Sequence, residues 1–245
     1  GVQGVELAVD RRRTSAGEEE VIVLKRGREK SLKRHHPWIF SGALERVEGN
    51  PESGETVAVR SADGETLALA AWSPQSQIRA RVWSFDPGAT IDPEFFQARI
   101  RQAAALRAAL TASRHTNALR LVHGESDGLP GVVVDRYADV LVAQFLSAGA
   151  ERWRGQILDA LSEATGCEAI YERSDAEVRT LEGLAPRSGF ARGNRDARRC
   201  PIIEYGLNFR VDVEAGQKTG FFLDQRENRQ RVRALATGRE VLDAF

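Results

Sequence analysis

The residues best suited to chemistry lie in the last part of the chain, from Gly216 to Phe245. This part begins with Gly216-Gln217-Lys218-Thr219-Gly220, which predicts a turn because glycines adopt positive φ at little cost. Within the turn, Lys218 offers a cation and Thr219 offers a hydroxyl. The turn therefore presents polar groups that could hold a ligand.

The elements that must position this turn follow it directly. Asp224 is predicted as the N-cap of a charged helix, DQRENRQRVRALA, in which Val232 and Leu235 are among the few apolar residues. Gly238 suits the left-handed residue that ends a helix. The segment Glu240–Phe245 then predicts the start of a buried strand. A short apolar strand after a helix is typical of the beginning of a Rossmann-type sheet.

The motif GQKTGFFLDQRENR followed by VLDAF resembles the start of the catalytic domain in a family of S-adenosylmethionine-dependent methyltransferases. These enzymes modify C5 of cytosine in large-subunit ribosomal RNA and carry an N-terminal PUA domain. In that family the strand matching Val241–Phe245 runs into the cofactor loop. The resemblance implies that the chain is the front part of such an enzyme, truncated at its catalytic domain and inactive alone.

The resemblance also implies which residues flank S-adenosylmethionine, the cofactor of the full-length protein. A threonine hydroxyl and a glycine N–H would face it, and an aromatic ring would wall its adenine or methionine side. A carboxylate and a guanidinium would pair with its charged amino and carboxylate groups. The predicted cofactor-binding residues are Thr219, Gly220, Phe221, Phe222, Asp224 and Arg226.

Methylation of cytosine C5 also needs a nucleophile, because C5 itself reacts poorly. In this class a Cys thiolate adds at C6, and the target base leaves its stack. The two cysteines here are predicted to be structural, since Cys167 follows a helix-ending glycine and Cys200 precedes a proline at a strand start. No catalytic residue is therefore predicted within the chain.

The composition excludes several classes of protein. With 245 residues, of which 42% are hydrophobic, the chain is long enough for two small globular domains. No apolar run approaches the roughly 20 residues of a membrane span, and the start lacks a signal peptide. Two cysteines provide neither a zinc site nor a disulfide framework. These features predict a cytoplasmic protein.

A basic segment lies between Lys25 and Arg34, with six cations against one acid. Basic side chains clamp phosphates, and aromatic rings can stack on unpaired bases. For Lys25 to Arg34 we predict RNA contact rather than a solvated loop. For the following aromatics, Trp38 and Phe40, we instead predict packing in the core.

This segment, with HPW and IFSGAL after it, resembles the PUA domain of the same family, a small β-barrel that binds structured RNA. Arg79 and Arg81 alternate with apolar residues in a predicted strand, so both guanidiniums are predicted to lie on one face. The resemblance favours RNA as their ligand, and Lys218 is a further candidate for a phosphate contact. The predicted RNA-binding residues are Lys25, Arg26, Arg28, Lys30, Lys33, Arg34, Arg79, Arg81 and Lys218.

Between these regions, GESDGLPG and VVVDRY resemble the family's central domain. His123, Glu125 and Asp127 could suggest a metal or acid–base site, but the Asp-Gly turn explains the aspartate without one. We therefore predict no metal site. Residues 186–200, with five Arg against one Asp, predict a mobile basic loop.

The predicted fold class is α/β and β mixed: an N-terminal PUA β-barrel, a central α+β domain and the start of a Rossmann-type methyltransferase domain. The partner implied by the resemblance is large-subunit ribosomal RNA. Two alternatives remain open, an rRNA methyltransferase acting on guanine, because related enzymes share the TGxFLDxR pattern, and a non-catalytic PUA-type RNA-binding module. A monomer and a homodimer also both remain open. The predicted divisions are 1–20 (flexible tail), 21–87 (PUA RNA-binding domain), 91–200 (central domain) and 201–245 (hairpin, helix and first strand).

Overall fold

The computed structural model describes residues 20–113, 115–194, 196, 199–242 and 244. The predicted tail of residues 1–20 therefore lies, except for Glu20, outside the described residues.

The N-terminal part forms a six-stranded sheet with the order β2-β6-β5-β4-β1-β3. Strand β1 runs parallel to β4, and the other paired strands are antiparallel. The edge strands β2 and β3 are consecutive in the chain and are joined by Ser41–Ala43. The Lys25 N–H donates to the Ala43 carbonyl and the Ser41 N–H donates to the Gln77 carbonyl, both at 2.9 Å, so this junction is bonded to both sides of the sheet. The elements are β1 (Val21–Leu24), α1 (Glu29–Lys33), β2 (Trp38–Phe40), β3 (Leu44–Glu48), β4 (Thr56–Arg60), β5 (Thr66–Trp72) and β6 (Ile78–Ser84).

Strand β2 shows how alternation decides which side chains enter the core. Ile39 is buried with the apolar side chains of the sheet. Its neighbours Trp38 and Phe40 are 38% and 48% exposed, because successive side chains of a strand point to opposite faces. The prediction that these two aromatics pack in the core is therefore wrong.

The second part is built on a five-stranded sheet with the order β11-β10-β9-β8-β7. Strands β9 and β10 are parallel, and the helices α3 and α4 make the crossover between them. The elements are α2 (Pro93–Ser113), β7 (Ala118–His123), β8 (Val132–Tyr137), β9 (Val140–Phe145), α3 (Ala148–Arg152), α4 (Arg154–Thr165), β10 (Ala169–Ser174), α5 (Val178–Leu181), β11 (Arg187–Arg192), β12 (Cys200–Glu204), β13 (Leu207–Val211) and α6 (Arg226–Ala236).

A side-chain cap and a glycine mark the start of α2 and the end of α4. The Asp92 side chain accepts a hydrogen bond from the Phe95 N–H at 2.9 Å, which caps the start of α2. Helix α4 ends at Gly166, whose φ of 67° is left-handed. Phe96 and Ile100 of α2 pack with Leu161 of α4 in the main core.

The segment predicted as a mobile basic loop contains a strand instead. Residues Arg187–Arg192 form β11 and pair antiparallel with β10. Phe190 packs edge-on against Tyr171, with ring centroids 5.1 Å apart. The open edge of β10 offers unpaired backbone groups, and β11 satisfies them.

The hairpin β12–β13 covers the face of the central sheet opposite α2 and α4. Its Ile202 and Val211 are buried against Tyr137 and Val142 of the sheet. Because β12 begins at Cys200, the hairpin crosses the boundary predicted at residues 200 and 201. The hairpin therefore packs as part of the central domain.

The predicted strand after α6 is not observed among the described residues of that segment. Val241 and Leu242 are 63% and 89% exposed, and neither they nor Ala244 is in a strand. No strand edge described in the structure pairs with them. Their apolar sequence alone does not make a strand, because a strand needs a neighbour for its backbone groups.

The two sheets are joined by close packing and a buried ion pair. Ala71 and Trp83 of the N-terminal sheet belong to the main core of the central domain. Arg81 of β6 donates to Glu182 at 2.7 Å, and Ser73 donates to the same carboxylate at 2.8 Å. Within the described part, no helix is long and apolar enough to cross a membrane.

Candidate functional site

The turn at residues 216–220 closes on itself as the glycines suggest. The Gly216 N–H donates to the Asp212 carbonyl at 3.0 Å, and the Gly220 N–H donates to the Gln217 carbonyl at 2.9 Å. Gly220 has a φ of 138°, whereas Lys218 rather than Gly216 takes the left-handed value, 57°. A Cβ at Gly216 would lie 2.2 Å from the Asp212 oxygen, so a glycine is required there by space.

Thr219 anchors this turn to the central sheet. Its side chain is buried, with 1% exposed. The hydroxyl donates to Asp135 on β8 and lies 2.8 Å from the Tyr137 hydroxyl. Both partners are protein groups in the interior, and the contact of this hydroxyl with the cofactor stays a prediction.

Asp135 is the centre of this buried network. Arg120 on β7 donates to both of its carboxylate oxygens, at 2.8 and 3.0 Å. This hydrogen bonding raises the pKa of Arg120 above its ordinary value, and burial raises the pKa of Tyr137. Arg120 and Thr219 thus satisfy the buried carboxylate together, and Tyr137 holds the Thr219 hydroxyl from the other side.

Arg226, at the start of α6, also points inward. It donates to Glu204 of β12 at 3.1 Å and to the Ala118 carbonyl. Arg229 donates to both oxygens of the same Glu204, at 2.7 and 2.8 Å. Burial alone would raise the pKa of Glu204, but the two guanidiniums outweigh it and the pKa falls. Arg226 therefore fixes α6 to the hairpin, and its pairing with a charged group of the cofactor stays a prediction.

Asp224 and Lys218 form an exposed ion pair at the mouth of the site. The Lys218 amine donates to both Asp224 oxygens, at 2.8 and 2.9 Å, and these hydrogen bonds lower the pKa of Asp224. The amine also lies 4.7 Å from the centre of the Phe222 ring. Gln225 occupies the N-cap position of α6, and Asp224 makes no capping hydrogen bond. The prediction that Asp224 is the N-cap is therefore wrong.

A cavity of about 290 Å³ lies between this segment and β7. Phe221 and Leu223 give it an apolar wall. Its charged groups are each paired within the protein: Arg120 with Asp135, Arg226 with Glu204, Arg107 with Asp127 and Lys218 with Asp224. Of these pairs only Lys218–Asp224 is exposed at both ends. The residues that line this cavity are Arg107, Leu119, Arg120, Lys218, Phe221, Leu223, Asp224 and Arg226.

The basic segment of residues 25–34 presents all six of its cations to solvent. Two of them are engaged in ion pairs, Arg26 with Asp63 at 2.6 Å and Lys33 with Glu65 at 2.9 Å. In the described part, no ion pair joins Arg28, Lys30 or Arg34 to another residue. Exposed cations with no acidic partner are the type that binds phosphate.

The two arginines of β6 differ from this segment. Arg81 is buried against Glu182, where it cannot contact RNA, so its predicted role is wrong. Arg79 is half-buried, and its contact with RNA stays a prediction. Arg81 is buried because it contacts Glu182, which lies 101 residues away in the sequence.

Three exposed aromatic side chains, called the aromatic platform here, were missed as functional candidates. They are His36, Trp38 and Phe40, with ring centroids 5.9 to 6.5 Å apart. The signal that could have found them is the alternation of Trp38-Ile39-Phe40, which places both large rings on the same side.

The residues 123–127 do not converge on a metal. Asp127 pairs with Arg107 at 2.6 Å and accepts from the His123 N–H, whereas Glu125 accepts from the Trp38 indole. Of the residues that the structure describes, no three His, Cys, Asp or Glu side chains cluster as a metal site. Cys167 and Cys200 are both buried, as expected for structural cysteines.

Similar proteins match most of the chain. Residues 22–85 match the family described as PUA-like domain. Ribosomal RNA large subunit methyltransferase I of Erwinia tasmaniensis is 48% identical over 224 residues, covering 91% of this chain and 57% of the relative. The protein of the same name from Shewanella amazonensis is 49% identical over 224 residues, with the same coverage. The chain thus spans 57% of the length of these curated relatives.

Solved structures share the fold. A putative SAM-dependent methyltransferase from Streptococcus mutans has a TM-score of 0.72 at 22% identity, covering 86% of this chain and 53% of that chain. A putative methyltransferase complexed with SAH has a TM-score of 0.73, with the same identity and coverage. Together with the PUA-like match, this likeness confirms the predicted mixed fold class with a PUA-like N-terminal domain.

Proposed function

We propose that this chain forms the RNA-binding and cofactor-flanking part of a large-subunit ribosomal RNA methyltransferase that uses S-adenosylmethionine. The observation that carries this proposal is the 48% identity over 224 residues to a protein named ribosomal RNA large subunit methyltransferase I. Because ribosomal RNA is the proposed substrate, we also propose that the protein works in the cytoplasm.

The RNA side of the proposal rests on the N-terminal sheet. It carries the PUA-like match and the exposed cations of residues 25–34. Such cations attract the phosphate backbone without reading its sequence. Base recognition then requires other groups on the same surface.

The cofactor side rests on the cavity beside residues 216–226. Its volume, about 290 Å³, is near the lower end of the roughly 300–1,000 Å³ of small-molecule sites. The cavity therefore fits one end of S-adenosylmethionine rather than the whole molecule. The donor set suits its methionine end, because Lys218 and Asp224 can exchange partners with a carboxylate and an amino group.

When bound, the cofactor supplies an activated methyl group. The residues of this chain would hold and orient it rather than react with it. Phe221 and Leu223 exclude water from one side, and Thr219 and Arg226 keep the turn and α6 at fixed positions from the interior. Fixed walls of this kind bring reacting groups into line.

The position that receives the methyl group is the finer part of the proposal, and we propose C5 of cytosine. The order of HPWIFSGAL, GESDGLPG and GQKTGFFLDQRENR supports it by resemblance. Guanine is the alternative, because related ribosomal enzymes share TGxFLDxR. Neither buried cysteine of the described chain is suited to attack C6.

The test is to incubate the full-length gene product with unmodified large-subunit RNA and methyl-labelled S-adenosylmethionine. Mass spectrometry of the digested nucleosides should show label in 5-methylcytidine. Label in a methylguanosine would instead establish the guanine alternative. If the protein binds RNA but transfers no label, and titration with the cofactor gives no heat, the alternative of a non-catalytic RNA-binding module would be supported.

A further inference from the structure

We propose that the aromatic platform of His36, Trp38 and Phe40 is a stacking site for an unpaired base of the bound RNA. This inference rests on the proposed function and deepens it, because it names an unstacked nucleotide as the feature that the N-terminal domain recognises. Cations alone would bind any phosphate backbone, paired or unpaired.

The geometry of the rings suits stacking. The Trp38 and Phe40 centroids are 6.3 Å apart with their planes at 81°, and the His36 and Trp38 rings are 5.9 Å apart at 83°. A base can therefore contact the face of one ring and the edge of the next, as aromatic groups prefer. Both large rings are exposed, at 38% and 48%.

The platform is held in place before RNA arrives. The Trp38 indole N–H donates to Glu125 of the central domain at 2.7 Å, and the Trp38 backbone N–H donates to His36 Nδ1 at 3.2 Å. The first contact fixes the Trp38 ring and the second fixes the His36 ring, so each loses little conformational freedom on binding. The contact across 87 residues also gives the exposed ring a defined direction.

A cavity beside the platform extends the site. Its volume is about 200 Å³, below the roughly 300–1,000 Å³ of sites for drug-sized ligands, and so suits a single base. Leu24, Leu32 and Ile39 supply apolar walls, while Arg28 and Ser31 supply polar groups at its rim.

Charge decides in favour of RNA over a protein partner on this apolar surface. Arg28 and Gly42 both line the cavity. The Lys25 amine lies 3.4 Å from the Gly42 carbonyl, so a second cation is next to the cavity. Glu125 is already occupied by the Trp38 indole. Aromatic faces beside cations are the combination that single-stranded nucleic acid requires.

The first experiment changes the ligand and leaves the protein intact. The full-length protein is titrated with an RNA hairpin that has an unpaired loop, and with the same hairpin carrying abasic loop nucleotides. We expect abasic sites to weaken binding about 10- to 100-fold, which is the effect of losing base–aromatic stacking. Equal affinity for the two hairpins would overturn the inference.

The second experiment changes the platform. Phe40→Ala should weaken hairpin binding about tenfold, because it removes an aromatic surface. The matched control is Leu106→Ala, which removes an exposed apolar side chain from α2 and should leave affinity unchanged. Circular dichroism and urea unfolding check that both variants fold. If the two variants bind equally well, stacking on the platform is refuted.

The salt dependence separates stacking from phosphate contact. Phe40→Ala should leave the slope of log K against log salt unchanged. Replacing Lys25 and Arg28 by Ala should reduce that slope by about 1.4, since each phosphate contact contributes about 0.7 for single strands. A slope that falls equally in both variants would contradict a stacking role for Phe40.

Tryptophan fluorescence gives a direct readout. The hairpin should quench emission from Trp38, because Trp72 and Trp83 are buried and Trp153 is half-buried. Trp38→Phe should remove this quenching. Quenching that persists in the variant would refute the assignment. Failure to bind any RNA would refute the proposed function as well, whereas binding that ignores abasic sites would refute this inference alone.

Discussion

The hydroxyl of Thr219 donates a hydrogen bond to the carboxylate of Asp135, across 84 residues of sequence. This contact fastens the 216–220 turn to β8 of the central sheet. Tyr137, two residues further along β8, reaches the same hydroxyl at 2.8 Å. The central domain therefore sets the position of the segment that we propose flanks the cofactor.

Replacing Thr219 by Val should destabilise the protein by about 1–3 kcal/mol, because the buried Asp135 carboxylate then loses a donor. Val conserves the shape of Thr, so the loss reports the hydroxyl. Urea unfolding measures it. Thr237→Val is the matched control, since that hydroxyl is exposed and donates only to its own helix; it should change stability by less than about 0.5 kcal/mol. Similar effects of the two substitutions would contradict the anchoring role.

Removal of the Glu182 carboxylate should weaken the junction between the two sheets. Glu182→Ala leaves Arg81 buried without its partner, which costs about 3–5 kcal/mol for a buried pair. The control is Glu52→Ala, which breaks the exposed contact of Glu52 with Arg152, 3.1 Å apart, and should cost less than about 1 kcal/mol. The free energies of unfolding in urea compare the two. A small loss for Glu182→Ala would show that the junction does not depend on this pair.

The same pair predicts a dependence on pH. Burial raises the pKa of Glu182, but the Arg81 charge and the hydrogen bonds lower it by more. The pKa of Glu182 therefore lies below its ordinary value of 4.5. A depressed folded pKa stabilises the fold above about pH 4.5, and this stabilisation is lost as the pH falls through the folded value. The stability difference between the wild type and Glu182→Gln should therefore shrink below pH 4.5. A difference that stays constant from pH 7 to pH 3 would disprove this linkage.

Two helical glycines near each other in sequence should respond oppositely to alanine. A Cβ at Gly149 would lie 2.3 Å from the Ala71 Cβ and 2.8 Å from Trp83 Cζ2, so Gly149→Ala should cost about 1–3 kcal/mol through overpacking. A Cβ at Gly155 meets no atom within 4 Å. Gly155→Ala should instead stabilise the protein by about 0.5–1 kcal/mol, because alanine favours the helix. Thermal unfolding distinguishes them, and a neutral Gly149→Ala would show that the sheets can separate at little cost.

Much of the fold follows from local patterns in the sequence. The apolar runs Thr66–Trp72 and Val132–Tyr137 form the strands β5 and β8. Asp92 caps the start of α2, and Gly166 ends α4. These features depend on nearest neighbours and on backbone conformation, so the residues themselves carry the information.

The sequence indicates a candidate segment for the cofactor site but not the contacts of its side chains. Phe221 and Asp224 line the cavity, and their contact with a cofactor stays a prediction, whereas Thr219 and Arg226 bond to Asp135 and Glu204 in the interior. A carboxylate within an apolar strand, such as Asp135 in VVVDRY, signals a buried partner. It does not tell which residue that partner is.

The sequence by itself determined the mixed fold class, the basic segment and the resemblance to a methyltransferase family. Only the tertiary structure decided that Trp38 and Phe40 face solvent and that Arg81 is buried on Glu182. A two-residue period specifies that side chains alternate but not which set enters the core. The partner of a buried charge depends on how distant segments meet, and that is decided by the packing of the whole chain.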